Sequence, residues 1–371
     1  ETSAQRMDLF SEHKYSWQTS PIMIGYRQSL FGYNSLKWDK RIEPVRYQEA
    51  KKSYVETLEL VSANAINKFF ALATAQSNYD IASFNYANAD TLYRYAQGRY
   101  NIGTITENEM LQLELNRLTE ETNRMNARIE MDNCMQELRS YLGIQEEREI
   151  RVRVSSRIPD FSINLNEALA LAYENSPDIQ TMKRRKLESE SAVARARANA
   201  GLKADIYLRF GLTQTADKLP EAYRNLLDQQ YVSLSISLPI LDWGRGKGQV
   251  RVARSNRDLV YTQVEQSRTD FELNVRKLVK QFNLQTQRVR IAARTDETAQ
   301  RRNEVARKLY ILGKSTILDL NASISEKDSA RRNYVSALYN YWSLYYTLRS
   351  MTLYDFESNK LLTEDYNLLI E

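Results

Sequence analysis

The chain of 371 residues contains one cysteine, Cys134, and one histidine, His13. A disulfide within the chain and a Cys/His zinc site are therefore excluded. Cys134 lies between Asn133 and Met135 in a helical run and reads as an ordinary buried or half-buried thiol. Proline and glycine are scarce, at six and eleven residues, which favours long uninterrupted helices. No run approaches the ~18–20 apolar residues of a membrane-spanning helix, and mean hydropathy is low at −0.59. Charge of one sign is not concentrated anywhere. The 52 basic and 47 acidic residues, net charge +5, are interleaved, as on a solvated helical surface rather than a nucleic-acid footprint. A lone His, a lone Cys and no G-x-x-x-x-G-K-[ST] loop leave no nucleophile–base pair and no phosphate cradle. These residues point to no enzyme, cofactor or metal. The chain starts at Glu1 without an initiator Met or a signal peptide, as a mature product or a chain lacking its start would.

The sequence repeats itself at an offset of 210 residues. In YNIGTITENEM (Tyr100 to Met110) and YILGKSTILDL (Tyr310 to Leu320), Tyr100 matches Tyr310, Gly103 matches Gly313, Thr106 matches Thr316 and Glu109 matches Asp319. Upstream, Ile22, Ile24, Leu30 and Tyr33 fall opposite Val232, Leu234, Ile240 and Trp243 at the same offset. The spacing from Leu30 to Gly103 therefore equals that from Ile240 to Gly313. Loops tolerate insertion, whereas a rod whose two ends both matter does not. The repeats are expected to divide at 1–158 and 159–371, with one helix and one strand of the first copy lying before residue 1.

Residues 249–312 and 45–97 contain neither Gly nor Pro. At 1.5 Å per residue the longer stretch spans roughly 95 Å as a helix, far beyond a globular helix. Return helices are expected over 106–143, with Gly143 as C-cap, and over 316–355. In the latter, Tyr334, Leu338, Tyr341, Tyr345 and Leu348 make a narrow coiled-coil seam. Thr106 with Glu109 forms a capping box, and Thr316 with Asp319 its Asp counterpart. Gly103 and Gly313 supply the tight turns.

Strand periodicity occupies the remainder. Ala204, Ile206, Leu208, Phe210 and Leu212 alternate with Asp205, Arg209 and Gly211, and Val232, Leu234, Ile236, Leu238 and Ile240 alternate with Ser233, Ser235, Ser237 and Pro239. A β-hairpin over 204–241 follows. The first copy keeps the pattern at Ile22, Ile24, Tyr26 and Leu30, broken by Gln28. Tyr15, Trp17, Tyr33, Trp38, Tyr231 and Trp243 cluster at strand ends, the interfacial depth that amphipathic rings prefer. Runs of this length suit either an ordinary hairpin on a soluble core or tilted transmembrane strands. The helices offer narrow seams and no face wide enough to cover a sheet, which favours lipid. Three strands are legible, and a sheet in lipid must close, so several chains must pool their strands. Two chains with four strands each would leave a filled barrel; three would leave a bore. Gly244 to Gly248 is expected to be a turn, with Arg245 and Lys247 near the inner headgroups.

LPILDWG (Leu238 to Gly244), ALALAYENSPDIQ (Ala168 to Gln180) and the two tip motifs, in that order, resemble the TolC family of outer membrane channel proteins along essentially the whole chain. The resemblance implies a mixed, predominantly α fold, with long antiparallel helical hairpins joined to a transmembrane β-barrel that several chains assemble. It implies a homotrimer in the Gram-negative outer membrane, a helical tube in the periplasm, and an equatorial region at 164–176 and 356–371. Implied function is the exit duct of a tripartite efflux pump or a type I secretion system. Its partners would be a periplasmic adaptor (membrane fusion) protein, an inner-membrane RND or ABC pump and outer membrane lipid. Asp319 takes the place of a gate acid, supplemented by Glu107 or Glu109, while Ala322 stands where the family has a second aspartate. Gly103, Thr104, Gly313, Lys314 and Ser315 would meet the adaptor, with Lys314 and Ser315 departing from the usual tip residues. Pro239, Asp242, Trp243 and Gly244 form the strand–helix junction. Asp319 also reads as a first-turn acid stabilising its helix, and both roles can hold. The alternative reading is a soluble coiled-coil scaffold or a membrane-associated structural protein.

Overall fold

The computed structural model describes residues 3–9, 14–146, 148–155 and 158–362. His13 and the last part of the expected equatorial segment lie outside them. Contacts divide the chain into two units, 1–48 with 180–268 and 49–179 with 269–371.

The first unit is built on an antiparallel sheet in the order β1 (Ser3–Leu9), β2 (Lys14–Ser29), β3 (Lys203–Ala216), β4 (Leu227–Ser237). The sheet has four strands where three are legible from hydrophobic alternation. β1, expected to be missing, escapes notice because SAQRMDL carries no apolar stripe, and pairing with β2 makes it a strand. β2 and β3 slip register between Thr19 and Ile22. This bulge explains a puzzle of parity. Tyr15 and Trp17 sit at odd positions and Ile22, Ile24 and Tyr26 at even ones, yet the extra residue sends both sets to one face. β4 stops at Ser237, short of the expected 240, because Pro239 has no N–H for the ladder.

Beside the sheet, α1 (Ser35–Asn101) begins ten residues before the expected start and carries Pro44 inside it. Tertiary contacts outweigh the lost backbone bond. The start of α1 is held to α4 (Pro177–Ala200): Ile42 is buried, Arg46 reaches Glu188 at 3.3 Å, Arg41 reaches Glu190 at 3.8 Å, and the Tyr33 hydroxyl meets the Ser191 hydroxyl at 2.6 Å. α5 (Arg245–Ile311) also starts early, so Arg245 to Gly248 is the first helical turn and not a loop.

In the second unit α2 (Glu107–Tyr141) and α6 (Ile317–Thr352) return along α1 and α5. Leu72, Ala75, Met131 and Leu138 form one apolar cluster, with half-buried Cys134 at its edge. Burial and the neighbouring Glu130 raise the Cys134 thiol pKa, so it stays protonated and inert. On α6, Leu338, Tyr341, Tyr345 and Leu348 are fully buried as the seam requires. Val335 rather than Tyr334 completes it, Tyr334 being half-buried. Phe282 packs on Tyr341 with centroids 5.2 Å apart, and Phe161 packs on Phe282 at 5.4 Å. α3 (Leu165–Asn175), capped by Asn164, lays Ala168 and Ala172 against α6. A short hairpin of β5 (Tyr354–Asp355) and β6 (Lys360–Leu361) follows.

The two hairpins lock to each other through polar pins between α1 and α6. Arg349 donates to both Glu59 carboxylate oxygens, at 2.9 and 3.0 Å, and a second time to Asp355 at 3.4 Å. Asn85 donates to Asp328 at 2.6 Å, and Lys327 lies 3.2 Å from the same carboxylate. The Arg349–Glu59 pair is mostly shielded, 16% and 10% exposed, so removing one partner strands the other charge. Arg349→Met is expected to destabilise by about 3–5 kcal/mol, and the double variant with Glu59→Met by much less. Thermal unfolding followed by circular dichroism checks the order of the two midpoints.

Candidate functional site

Two regions carry the candidate residues, and each belongs to one unit. The tips lie in the second. α1 ends in a Schellman motif: Gly103 N–H donates to Tyr100 O at 2.9 Å and Thr104 N–H to Arg99 O at 2.9 Å, with Gly103 at φ 75°. α5 ends the same way, Gly313 to Tyr310 and Lys314 to Leu309, both 2.9 Å, with Gly313 at φ 68°. Two residues later each return helix opens with a reciprocal capping box, Thr106 with Glu109 and Thr316 with Asp319. Every tip element thus recurs at the sequence offset, and the turn is over-determined from both sides.

This geometry assigns the carboxylates local work. Asp319 Oδ2 accepts from the Thr316 hydroxyl at 2.7 Å, the Thr316 N–H at 3.3 Å and the Ser315 hydroxyl at 3.3 Å. These bonds, Thr316 first, hold the exposed Asp319 carboxyl below its ordinary range. Glu109 Oε2 accepts from Thr106 N–H at 3.0 Å. Glu107 sits exposed in the first turn of α2. Thr104, Glu109, Gly313 and Ser315 come together around a cavity of about 330 Å³, which also takes in Tyr95, Arg99 and Tyr310. Gly103, Glu107, Lys314 and Asp319 are not among its lining residues. Burial raises the Tyr310 hydroxyl pKa, partly offset by Arg99.

The tyrosines above this cavity are a feature that motif reading missed. On α1, Tyr79, Tyr86 and Tyr93 recur every seven residues, and each is covered by an arginine of α2: Arg128 at 5.5 Å, Arg124 at 4.2 Å and Arg117 at 5.4 Å from the ring centroid. Their counterparts on α5 are Val289, Asp296 and Asn303. Asp296 pairs with Arg331 at 3.1 Å, and Asn303 donates to Ser323 at 3.0 Å. The signal was the seven-residue tyrosine spacing itself, but it named no partner. Among the described residues no group of three or more His, Cys, Asp or Glu could hold a metal ion.

The strand–helix junction lies in the first unit. Asp242 accepts from Gly246 N–H at 2.8 Å and Gly244 N–H at 3.0 Å, which lowers its carboxyl pKa and caps α5. Trp243 and Gly244 take positive φ, 53° and 80°. A Cβ on Gly246 would lie 2.9 Å from the Ala200 Cβ, so only glycine lets α5 start against the end of α4. The loop displays its apolar side chains: Ile240 is 92% and Trp243 89% exposed.

One face of the sheet is equally bare. Ile22, Ile24, Tyr26, Phe210, Val232, Leu234 and Ile236 share it by register and are all largely exposed. No helix among the described residues is long and apolar enough to cross a membrane. β1 and β4 each leave one edge unpaired.

Comparison with known proteins agrees with this geometry. Residues 168–352 match the Outer membrane efflux protein family. The chain is 21% identical over 311 residues to outer membrane protein TolC of Escherichia coli (strain K12), covering 81% of this chain and 61% of that protein. It thus spans less than two thirds of that relative's length. Its fold is similar to the Campylobacter jejuni CmeC outer membrane channel, with TM-score 0.78 at 15% identity over 100% of this chain and 79% of that one. It is also similar to the outer membrane protein VceC of Vibrio cholerae, with TM-score 0.73 at 15% identity over 95% and 85%. The fold class is therefore that of long antiparallel helical hairpins joined to an antiparallel sheet, as in these outer membrane channels, and residues 168–352 belong to the outer membrane efflux protein family.

Proposed function

We propose that the chain is one subunit of a homotrimeric exit duct in the Gram-negative outer membrane, serving a tripartite efflux pump or a type I secretion system. The observation that carries this reading is the sheet: an exposed apolar face about one hydrocarbon thickness tall, with two edges that only other chains can close. Four strands per chain give twelve in a trimer, enough for a bore. The helices then belong in the periplasm, and Trp243 and Ile240 of the junction in the inner interface. Residues 1–158 and 159–371 are taken as the two duplicated repeats. The duct is passive, and energy comes from an inner-membrane RND or ABC pump reached through a periplasmic adaptor. That adaptor would seat on the tips at Gly103, Thr104, Gly313, Lys314 and Ser315. Expression in a Gram-negative host lacking its own duct tests the proposal. The chain should fractionate with the outer membrane, need detergent for extraction, run as a trimer and restore resistance to pumped compounds. Extraction as a soluble monomer would refute it.

Asp319, with Glu107 and Glu109, is proposed to ring the periplasmic entrance. Capping and gating do not compete: the hydrogen bonds that make Asp319 a cap also keep it ionised. Its folded pKa is depressed, so its stabilising contribution is present above the ordinary carboxylate value of 3.8 and is lost as pH falls through the lower folded value. Cation preference of the duct should therefore be flat between about pH 5 and 8 and fade only at lower pH. Thr316→Ala removes the main donor, should cost about 1 kcal/mol of helix capping, and should move that fade to higher pH. Reversal potentials in planar bilayers across a pH series measure it.

A further inference from the structure

The other face of the sheet has a chemistry that the duct reading does not require. By register it carries Arg27 and Ser29 of β2, Lys203, Asp205, Tyr207 and Arg209 of β3, and Tyr231, Ser233 and Ser235 of β4. Cations outnumber anions. Asp205 is the one carboxylate of β2, β3 and β4 on this face, and it approaches Arg27 only at 4.0 Å, an exposed and weak contact. Arg209 has no carboxylate partner among the described residues. Its guanidinium lies over the Met23 sulfur.

Register sets the two arginines beside a pair of packed tyrosines. Gly25 pairs with Arg209 across β2 and β3, and a Cβ at Gly25 would sit 3.3 Å from the Tyr207 hydroxyl. The missing side chain leaves room for the Tyr207 ring over Gly25. Tyr231, opposite Arg209 on β4, packs on Tyr207 with centroids 6.2 Å apart. Two packed tyrosines thus share the face with a pair of arginines whose register positions stand two residues, or ~7 Å, apart along the strand direction. Ser233 and Ser235 on β4, Gly25 on β2 and Gly211 on β3 add no charge to this face.

We propose that this face makes the membrane-spanning exit of the duct selective for anions, through a girdle of Arg27 and Arg209 repeated in each subunit, so that anionic solutes are favoured at the exit. The inference rests on the duct reading, since it needs the apolar face in lipid and this face in the lumen. It gives the conduit opposite charge at its two ends, with carboxylates at the tips and guanidinium groups at the exit. Arginine suits the task because it stays charged at every relevant pH and binds phosphate or carboxylate bidentately.

The test is electrical. Full-length trimers are reconstituted in planar bilayers under a KCl gradient near 0.1 M, and the cation-to-anion permeability ratio is compared between wild type and Arg27→Gln/Arg209→Gln. A unit charge ~10 Å from a permeating ion in water changes its local concentration by about twofold before screening, so the ratio should rise at least about twofold in the variant. The difference should vanish at 1 M KCl, where the Debye length is about 3 Å. Arg27→Lys/Arg209→Lys keeps the charge and should keep the wild-type ratio. Because the tips act in series, a second readout addresses the exit alone. Inositol hexakisphosphate added from one side should block wild-type pores, and block the glutamine variant at least about tenfold more weakly. If one arginine proves necessary for trimer formation, the single Arg27→Gln and Arg209→Gln variants carry the comparison. Wild-type pores with a ratio and block identical to those of the charge-free variants overturn this inference and leave the duct intact. Wild-type trimers that form no pore overturn both.

Discussion

An open sheet edge is the constraint on which the rest depends. Each backbone N–H and C=O along the outer sides of β1 and β4 needs a partner, and in hydrocarbon no water supplies one. Leaving them unpaired would cost several kcal/mol per group, more than any single contact in the chain could offset. The same sheet exposes Ile24 of β2 and Val232 of β4 at 69% each, so water is no refuge either. Closure with further copies solves both problems at once, since every edge becomes a ladder and the apolar face becomes the outer wall. The subunit is therefore incomplete alone, in the sense that its most apolar surface and its unpaired backbone belong to the same element.

Closure into a ring also explains what the duplication keeps. The two long helices each have 67 residues, and the tip end of each is fixed by the same devices, a Schellman glycine followed by a threonine that caps the return helix. Their interiors have diverged. Tyr79, Tyr86 and Tyr93, stacked under arginines, face Val289, Asp296 and Asn303 at the same offset. A ring built from alternating hairpins needs equal lengths, because a mismatch of one turn, 5.4 Å, would displace one tip from the other. It does not need equal chemistry along the seam. Packing between long rods tolerates any side chains that fill the groove and satisfy their polar atoms. Selection on length with freedom in the interior is what the offset of 210 records.

What could be read from the chain follows the same division. Tip turns, caps and helix lengths were legible because each rests on a local rule: Gly103 and Gly313 need positive φ, and Thr106 and Thr316 need an acid three residues on. The seam at Leu338, Tyr341, Tyr345 and Leu348 was legible from period alone. Elements made by tertiary contact were not. β1 has no apolar stripe and exists through pairing with β2. The first turns of α1 precede Pro44 and are held by Glu188, Glu190 and Ser191 of α4, residues more than a hundred positions away. The bulge after Thr19 could be suspected from the parity change between Trp17 and Ile22, but only cross-strand register reveals it. Of the candidate acids, Asp319 was found by motif, yet its hydrogen bonds to Ser315 and Thr316 required coordinates.

In Asp319 the observed cap and the proposed gate make compatible demands on one residue. A carboxylate in a first helical turn is stabilised by unpaired N–H groups and the helix dipole, and the same bonds lower its pKa. A helix start closed by a capping box with an acid, as at Thr316 and Asp319, therefore presents a charge that resists protonation, at no cost beyond the cap it needs anyway. The proposed negative rim draws on carboxylates that stand at the tips because helices start there. Basic residues on the sheet are a different matter. A strand has no net dipole to favour Arg27 or Arg209, and neither closes an ion pair of any strength. No cap or strong ion pair accounts for their place on the polar face, which is why the proposed lumenal role falls to them.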